Sequence, residues 1–204
     1  GCYGLEGAHT PNLDQMAEEG VVFDNHYVNN PICTPTRGSI HTGKPLPGHG
    51  VYKLYDNLPK DEVLFPKRLK EEGYKTALVG KMHVSGRLTE AKERHPNDGF
   101  DQYNWCMEPS IDLDSPFNAY SKWLQKNHPD FFEELSEKGR DLLHNPQEVH
   151  MTHWAAEQTI DYINAWSSEE PFFIEMSVFD PHNPYKDYPK EMEDEVVDDS
   201  AGFP

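Results

Sequence analysis

Tyr74-Lys75-Thr76-Ala77-Leu78-Val79-Gly80-Lys81-Met82-His83 changes character halfway along. Residues 74–79 form a short apolar run bounded by glycines, which predicts a buried strand ending at Gly80. Upstream, residues 65–72 predict a short helix entered at Pro66 and closed by Gly73. Downstream, Pro171-Phe172-Phe173-Ile174-Glu175-Met176-Ser177-Val178-Phe179 predicts a second core strand. Residues 148–166 precede it as the longest helical run, with Ala155, Ala156, Ile160, Ile163 and Trp166 in register. Strands alternating with helices argue for an α/β fold with a mainly parallel central sheet.

In open α/β sheets, ligands gather beyond the carboxyl ends of the strands. Three segments put polar residues just after a predicted strand. Residues 21–28, Val-Val-Phe-Asp-Asn-His-Tyr-Val, predict the strand that leads to Cys33-Thr34-Pro35-Thr36-Arg37-Gly38-Ser39-Ile40-His41-Thr42-Gly43. The second segment is Gly80-Lys81-Met82-His83, and the third is Asp180-Pro181-His182-Asn183-Pro184-Tyr185. Cys33 falls just ahead of a predicted helix N-terminus, where backbone N–H groups favour an anion. Arg37 adds a planar cation suited to sulfate or phosphate oxygens.

Taken singly, each residue has a plainer reading. Cys33 is a small buried hydrophobe, Arg37 a surface ion-pair partner and Lys81 a solvated lysine. His83 and His182 are two of eleven histidines. Together they supply a nucleophile, two cations and two proton carriers near neutral pH, a set suited to hydrolysis of a tetrahedral anion.

The 204 residues suffice for one domain with a core, and the net charge is −18. So acidic a chain excludes nucleic acid as the expected partner, since phosphate binding needs a basic face. An anionic substrate must be drawn by a local basic pocket. Cys2, Cys33 and Cys106 lie far apart and form no CxxC pair, so neither a zinc site nor a disulfide framework is indicated. No run reaches transmembrane length, and residues 1–204 open on neither a charged n-region nor an apolar h-region, which says little about location. The opening Gly1-Cys2-Tyr3-Gly4 reads like the interior of a longer sequence.

Thr10 and Pro11 predict a helix start, Leu13, Met16 and Ala17 its apolar face, and Gly20 its end. Residues 44–50 predict a turn-rich loop, and residues 87–114 an irregular loop. Residues 117–125 and 130–137 predict helices. Tyr103, Trp105 and Trp123 read as core aromatics, with stacking on a sugar or aryl group as the alternative. Residues 187–204 predict an acidic, weakly structured tail, with Asp198-Asp199 as solvated charges.

Cys33-Thr34-Pro35-Thr36-Arg37, continued by a small polar pair and Thr42-Gly43, resembles the signature of the sulfatase family. In that family the cysteine is oxidised to formylglycine, an aldehyde whose hydrate carries two hydroxyls on one carbon. One attacks sulfur to give a covalent sulfate ester, and loss of the other's proton expels sulfate. His41 departs from the family's usual apolar residue. Gly80-Lys81-Met82-His83 and Pro181-His182-Asn183-Pro184-Tyr185 are similar to two further family motifs, which implies that Lys81 and His182 contact sulfate and that His83 binds near the formylglycine. Thr10-Pro11-Asn12-Leu13-Asp14 and Asn97-Asp98-Gly99-Phe100-Asp101 are similar as well. His49 stands where the family often has a histidine, implying a supporting role; a plain turn histidine is the alternative.

The resemblance implies an alkaline-phosphatase-like α/β/α sandwich and a sulfated small molecule or glycan as substrate. A formylglycine-dependent phosphonate or phosphodiester hydrolase shares the same motif, and a non-catalytic sulfate- or glycan-binding remnant is the reading in which Cys33 stays a thiol. The resemblance also implies a formylglycine-generating enzyme as maturation partner, a periplasmic, secreted or lysosomal setting, and one divalent cation, usually calcium, held by oxygen ligands. Cys33 as formylglycine is one expected metal ligand. The family's carboxylate pairs have no match here, so the remaining ligands are expected outside residues 1–204. The chain is accordingly expected to be part of a catalytic domain, incomplete at both ends and inactive by itself.

Overall fold

The computed structural model describes residues 1–5, 8–166 and 169–195. Its centre is a three-stranded parallel sheet in the order β2-β1-β3, with β1 at Lys75–Gly80, β2 at Gln102–Trp105 and β3 at Phe172–Ser177. Eight α-helices accompany the sheet among the described residues: α1 Pro11–Glu19, α2 Cys33–Thr42, α3 Leu46–His49, α4 Phe65–Glu71, α5 Arg87–Glu90, α6 Ala119–Asn127, α7 Pro129–Lys138 and α8 Met151–Ala165. None is long and apolar enough to cross a membrane.

The run chosen from sequence is the axis of the fold. Ala77, Leu78 and Val79 are buried, and successive side chains of a strand face opposite sides. Val79 packs with Tyr120, Leu124, Leu135 and Trp154, side chains of α6, α7 and α8. Leu78 packs with Leu64, Met82, Phe100 and Trp105 on the other side, where α4 enters at Phe65. A strand covered on both faces needs a continuous apolar run, and this one has it.

Gly80 is required where β1 ends. Its φ is +108°, and a Cβ there would lie 2.0 Å from the carbonyl oxygen of Ser177 on β3. Absence of a side chain lets the two strand ends meet, and Lys81 N–H then donates to Ser177 O at 2.8 Å.

Four expectations are corrected. Residues 21–28 are not a strand: they have no sheet partner among the described residues, and Val21, Phe23 and Tyr27 are exposed. Their β-branched and aromatic composition describes a surface that needs a neighbour, and none pairs with it here. Residues 87–114 are not all loop, because they contain α5 and β2. The residues 44–50 include the short helix α3, which ends at Gly50 in a left-handed conformation. Helix α1 starts and stops as predicted, yet it has no buried residue, and Leu13 and Met16 are exposed. Of the expected 187–204 tail, residues 190–195 are a 3-10 turn and residues 196–204 lie outside the described residues. Trp105 is fully buried and Trp123 packs against the core, in line with their reading as core aromatics.

Candidate active site

A groove of about 590 Å³ lies at the carboxyl end of the sheet, and Cys33, Lys81, His83 and His182 all line it. Two of the three segments arrive as the sequence implied, from the ends of β1 and β3. The first does not follow a strand. Ile32 is extended, and Cys33 is the first residue of α2, partly exposed to the groove.

Thr34 ties this helix to the β1 end. Its hydroxyl donates to the Leu54 carbonyl at 2.9 Å, so its 3.0 Å contact with His83 Nε2 is one in which the imidazole N–H donates. His83 Nδ1 is buried with no hydrogen-bond partner, which leaves that lone pair available. Burial lowers the His83 pKa to about 3, with Lys81, Arg37 and His182 adding repulsion. The ring is therefore neutral at physiological pH, whereas an unperturbed histidine titrates near neutrality.

Arg37 sits behind the groove rather than along it. One terminal nitrogen donates to Lys81 O at 2.9 Å, Met82 O at 3.4 Å and Ser177 Oγ at 2.9 Å, joining α2 to the ends of β1 and β3. Burial pulls its pKa down, and nearby Glu175 and Cys33 oppose that. Lys81 is buried, with its ammonium 5.3 Å from the centre of the Phe179 ring. Burial and Arg37 lower its pKa, while the charge of Cys33 raises it. Among the described residues no acceptor pairs with Lys81 Nζ, so this desolvated cation is poised for an anion from outside. His182 is exposed and stacked on Phe179 at 4.7 Å, with Nδ1 2.6 Å from Asn183 O.

His49 does not line the groove. Its Nδ1 accepts the Val51 N–H at 3.1 Å, so Nε2 carries the proton and donates to Ser39 Oγ at 2.9 Å. It pins α3 to the middle of α2. His41 is buried too, stacked on Phe65 and 3.4 Å from Glu175 Oε1. That polar partner on β3 is how the helix accommodates a histidine in an apolar position. The groove's outer wall adds Arg140, bidentate to Glu108 at 2.6 and 2.7 Å, and Arg87, 3.4 Å from Asp112. Sequence reading missed Thr34, Ser177 and Arg140, whose roles arise from contacts between segments distant in sequence.

Among the described residues, one group of three potential metal ligands comes together: His150, Asp180 and Asp187, with ligand atoms within 4.8 Å of one another. It does not fit calcium, which takes about six to eight oxygen ligands. One of its members offers nitrogen, and His150 Nδ1 accepts the Thr152 N–H at 3.3 Å. With Nδ1 so engaged, the ring's other nitrogen, Nε2, is the atom facing Asp180 at 4.0 Å. None of the three lines the groove, where Glu108 is the only carboxylate among the lining residues.

The sulfatase family model matches residues 1–201. Human N-acetylgalactosamine-6-sulfatase is 30% identical over 203 residues, covering 90% of this chain and 37% of that protein. The chain thus spans well under half the length of that curated relative. Phosphonate monoester hydrolase of Agrobacterium radiobacter superposes with a TM-score of 0.71 at 19% identity, covering 95% of this chain and 40% of that one. A protein solved in complex with its substrate D-glucosamine-2-N,6-O-disulfate superposes with a TM-score of 0.59 at 23% identity, covering 89% of this chain and 31% of that one. The fold is therefore the alkaline-phosphatase-like α/β arrangement of these proteins.

Proposed function

The chain belongs to the sulfatase family, and from that premise we propose that its groove hydrolyses sulfate esters, with Cys33 converted to formylglycine. The observation that carries this is the meeting of Cys33, Lys81, His83 and His182 along one groove. The hydrated aldehyde supplies two hydroxyls on one carbon. The first loses its proton as it attacks sulfur and displaces the alcohol, which takes up a proton. The second then loses its proton, breaking the carbon–oxygen bond to sulfate and leaving the aldehyde, which water hydrates again.

The remaining steps belong to side chains already in place. Lys81 meets a sulfate oxygen, and its low solvation strengthens that contact. Arg37 holds the Cys33 helix against both strand ends and adds positive charge behind the sulfate. His83, fixed by Thr34 through Nε2 and held neutral, keeps Nδ1 as an acceptor for a hydrogen bond from the second hydroxyl in the release step. His182, exposed at the groove, gives a proton to the leaving oxygen. The solved neighbour with a disulfated glucosamine supports a sulfated saccharide as the substrate class. Calcium, when bound, would supply charge stabilisation, and its ligands besides residue 33 are proposed to come from sequence outside residues 1–204. Residues 1–204 alone are then expected to turn over sulfate esters at least about 100-fold more slowly than the full-length protein, because a metal contributes several kcal/mol of charge stabilisation.

Parallel turnover of an aryl sulfate, an aryl phosphodiester and an aryl phosphonate monoester by full-length protein tests the proposal. Sulfate is expected to be preferred. A preference for either phosphorus ester overturns it in favour of a phosphonate or phosphodiester hydrolase, and binding of sulfate without turnover would indicate a binding remnant.

A further inference from the structure

Glu90 is the last residue of α5 and only 4% exposed. Its Oε2 accepts the His83 N–H at 2.9 Å and the Trp105 indole N–H at 3.2 Å, and Oε1 accepts the Ser85 N–H at 3.0 Å. All three neighbours are donors, which a carboxylate satisfies and a carboxamide does not. His83 itself has φ +58°, a left-handed conformation that a side-chain-bearing residue holds only when its surroundings impose it. The N–H of that strained residue is one of the three that Glu90 binds.

We infer that Glu90 is a positioning residue for this site, its buried carboxylate holding residues 83–85 so that the His83 ring meets Thr34 beside Cys33. Its charge also reaches the site's cations, since it raises the pKa of both Arg37 and Lys81. Burial pushes the Glu90 carboxyl up, while the bonds from Ser85, His83 and Trp105 pull it back. Glu90 lines no part of the reacting groove, and its main route to the chemistry is the placement of His83. The catalytic half of the inference rests on the hydrolase proposal above; the positional half does not.

The test uses full-length protein with residue 33 converted and an aryl sulfate as substrate. Glu90→Gln keeps the size and loses one acceptor oxygen. It is expected to lower kcat about 100-fold, the scale of an ångström-level misplacement, with KM within about threefold. In a His83→Ala background the same change is expected to cost about tenfold less than in wild type, because most of its effect runs through that side chain and only its charge on Arg37 and Lys81 remains. Full additivity of the two losses overturns the inference. Should Glu90→Gln fail to fold, or the wild type prove inert toward sulfate esters, amide exchange in the wild type decides. The His83 and Ser85 N–H groups are expected to exchange as slowly as those of β1, and exchange at the rate of exposed loop amides overturns the inference.

Discussion

Thr34 Oγ1 lies 3.0 Å from His83 Nε2, and through that contact the helix that begins at Cys33 is fastened to the loop that follows β1. The same hydroxyl reaches the Leu54 carbonyl at 2.9 Å, so one side chain orients a histidine ring and anchors a third segment.

Thr34→Val keeps the shape and removes the hydroxyl. It leaves a buried imidazole N–H and a carbonyl without partners, which costs about 1–3 kcal/mol. Denaturant titration of the variant should show that loss, with turnover of an aryl sulfate reduced in step. Unchanged stability and unchanged turnover would mean that the contact holds nothing.

His83 is the residue through which acid should weaken the fold. Its pKa is lowered to about 3 in the folded protein, against about 6.5 in an unfolded chain. Between those values the unfolded state binds more protons, so stability rises with pH across the window and is lost as pH falls through it. Comparing unfolding free energies at pH 4 and pH 7 for wild type and His83→Gln isolates this contribution. The variant is expected to lose less stability on acidification, and equal losses would place the His83 ring in solvent.

Much of this was legible beforehand, and what was not has a physical cause. Residues 74–79 announced a strand because burial on both faces demands an unbroken apolar run. Gln102-Tyr103-Asn104-Trp105 announced nothing, since two of its four side chains are polar and its extended state depends on pairing with Ala77 to Gly80. Residues 21–28 had the composition of a strand and, among the described residues, no partner. Cys33, Lys81, His83 and His182 were legible as candidates through their order along the chain and their likeness to family motifs, and one groove gathers all four. Thr34, Ser177 and Glu90 were not, because each matters only through what the fold brings against it.

Gly80→Ala addresses the junction where β1 and β3 deliver their residues to the groove. A methyl group would be forced within 2.0 Å of Ser177 O at a φ of +108°. Backbone strain and the displaced strand should together cost about 3 kcal/mol or more. Thermal unfolding checks this directly, and a variant as stable as wild type would show that the strand ends are not in contact.

The mass of the peptide carrying residue 33 should be determined from full-length protein produced with a formylglycine-generating enzyme and shown to release sulfate from an aryl sulfate. A mass matching an aldehyde in place of the thiol is the expected result. A plain cysteine in every copy of protein that still releases sulfate would contradict Cys33 as the source of the nucleophile.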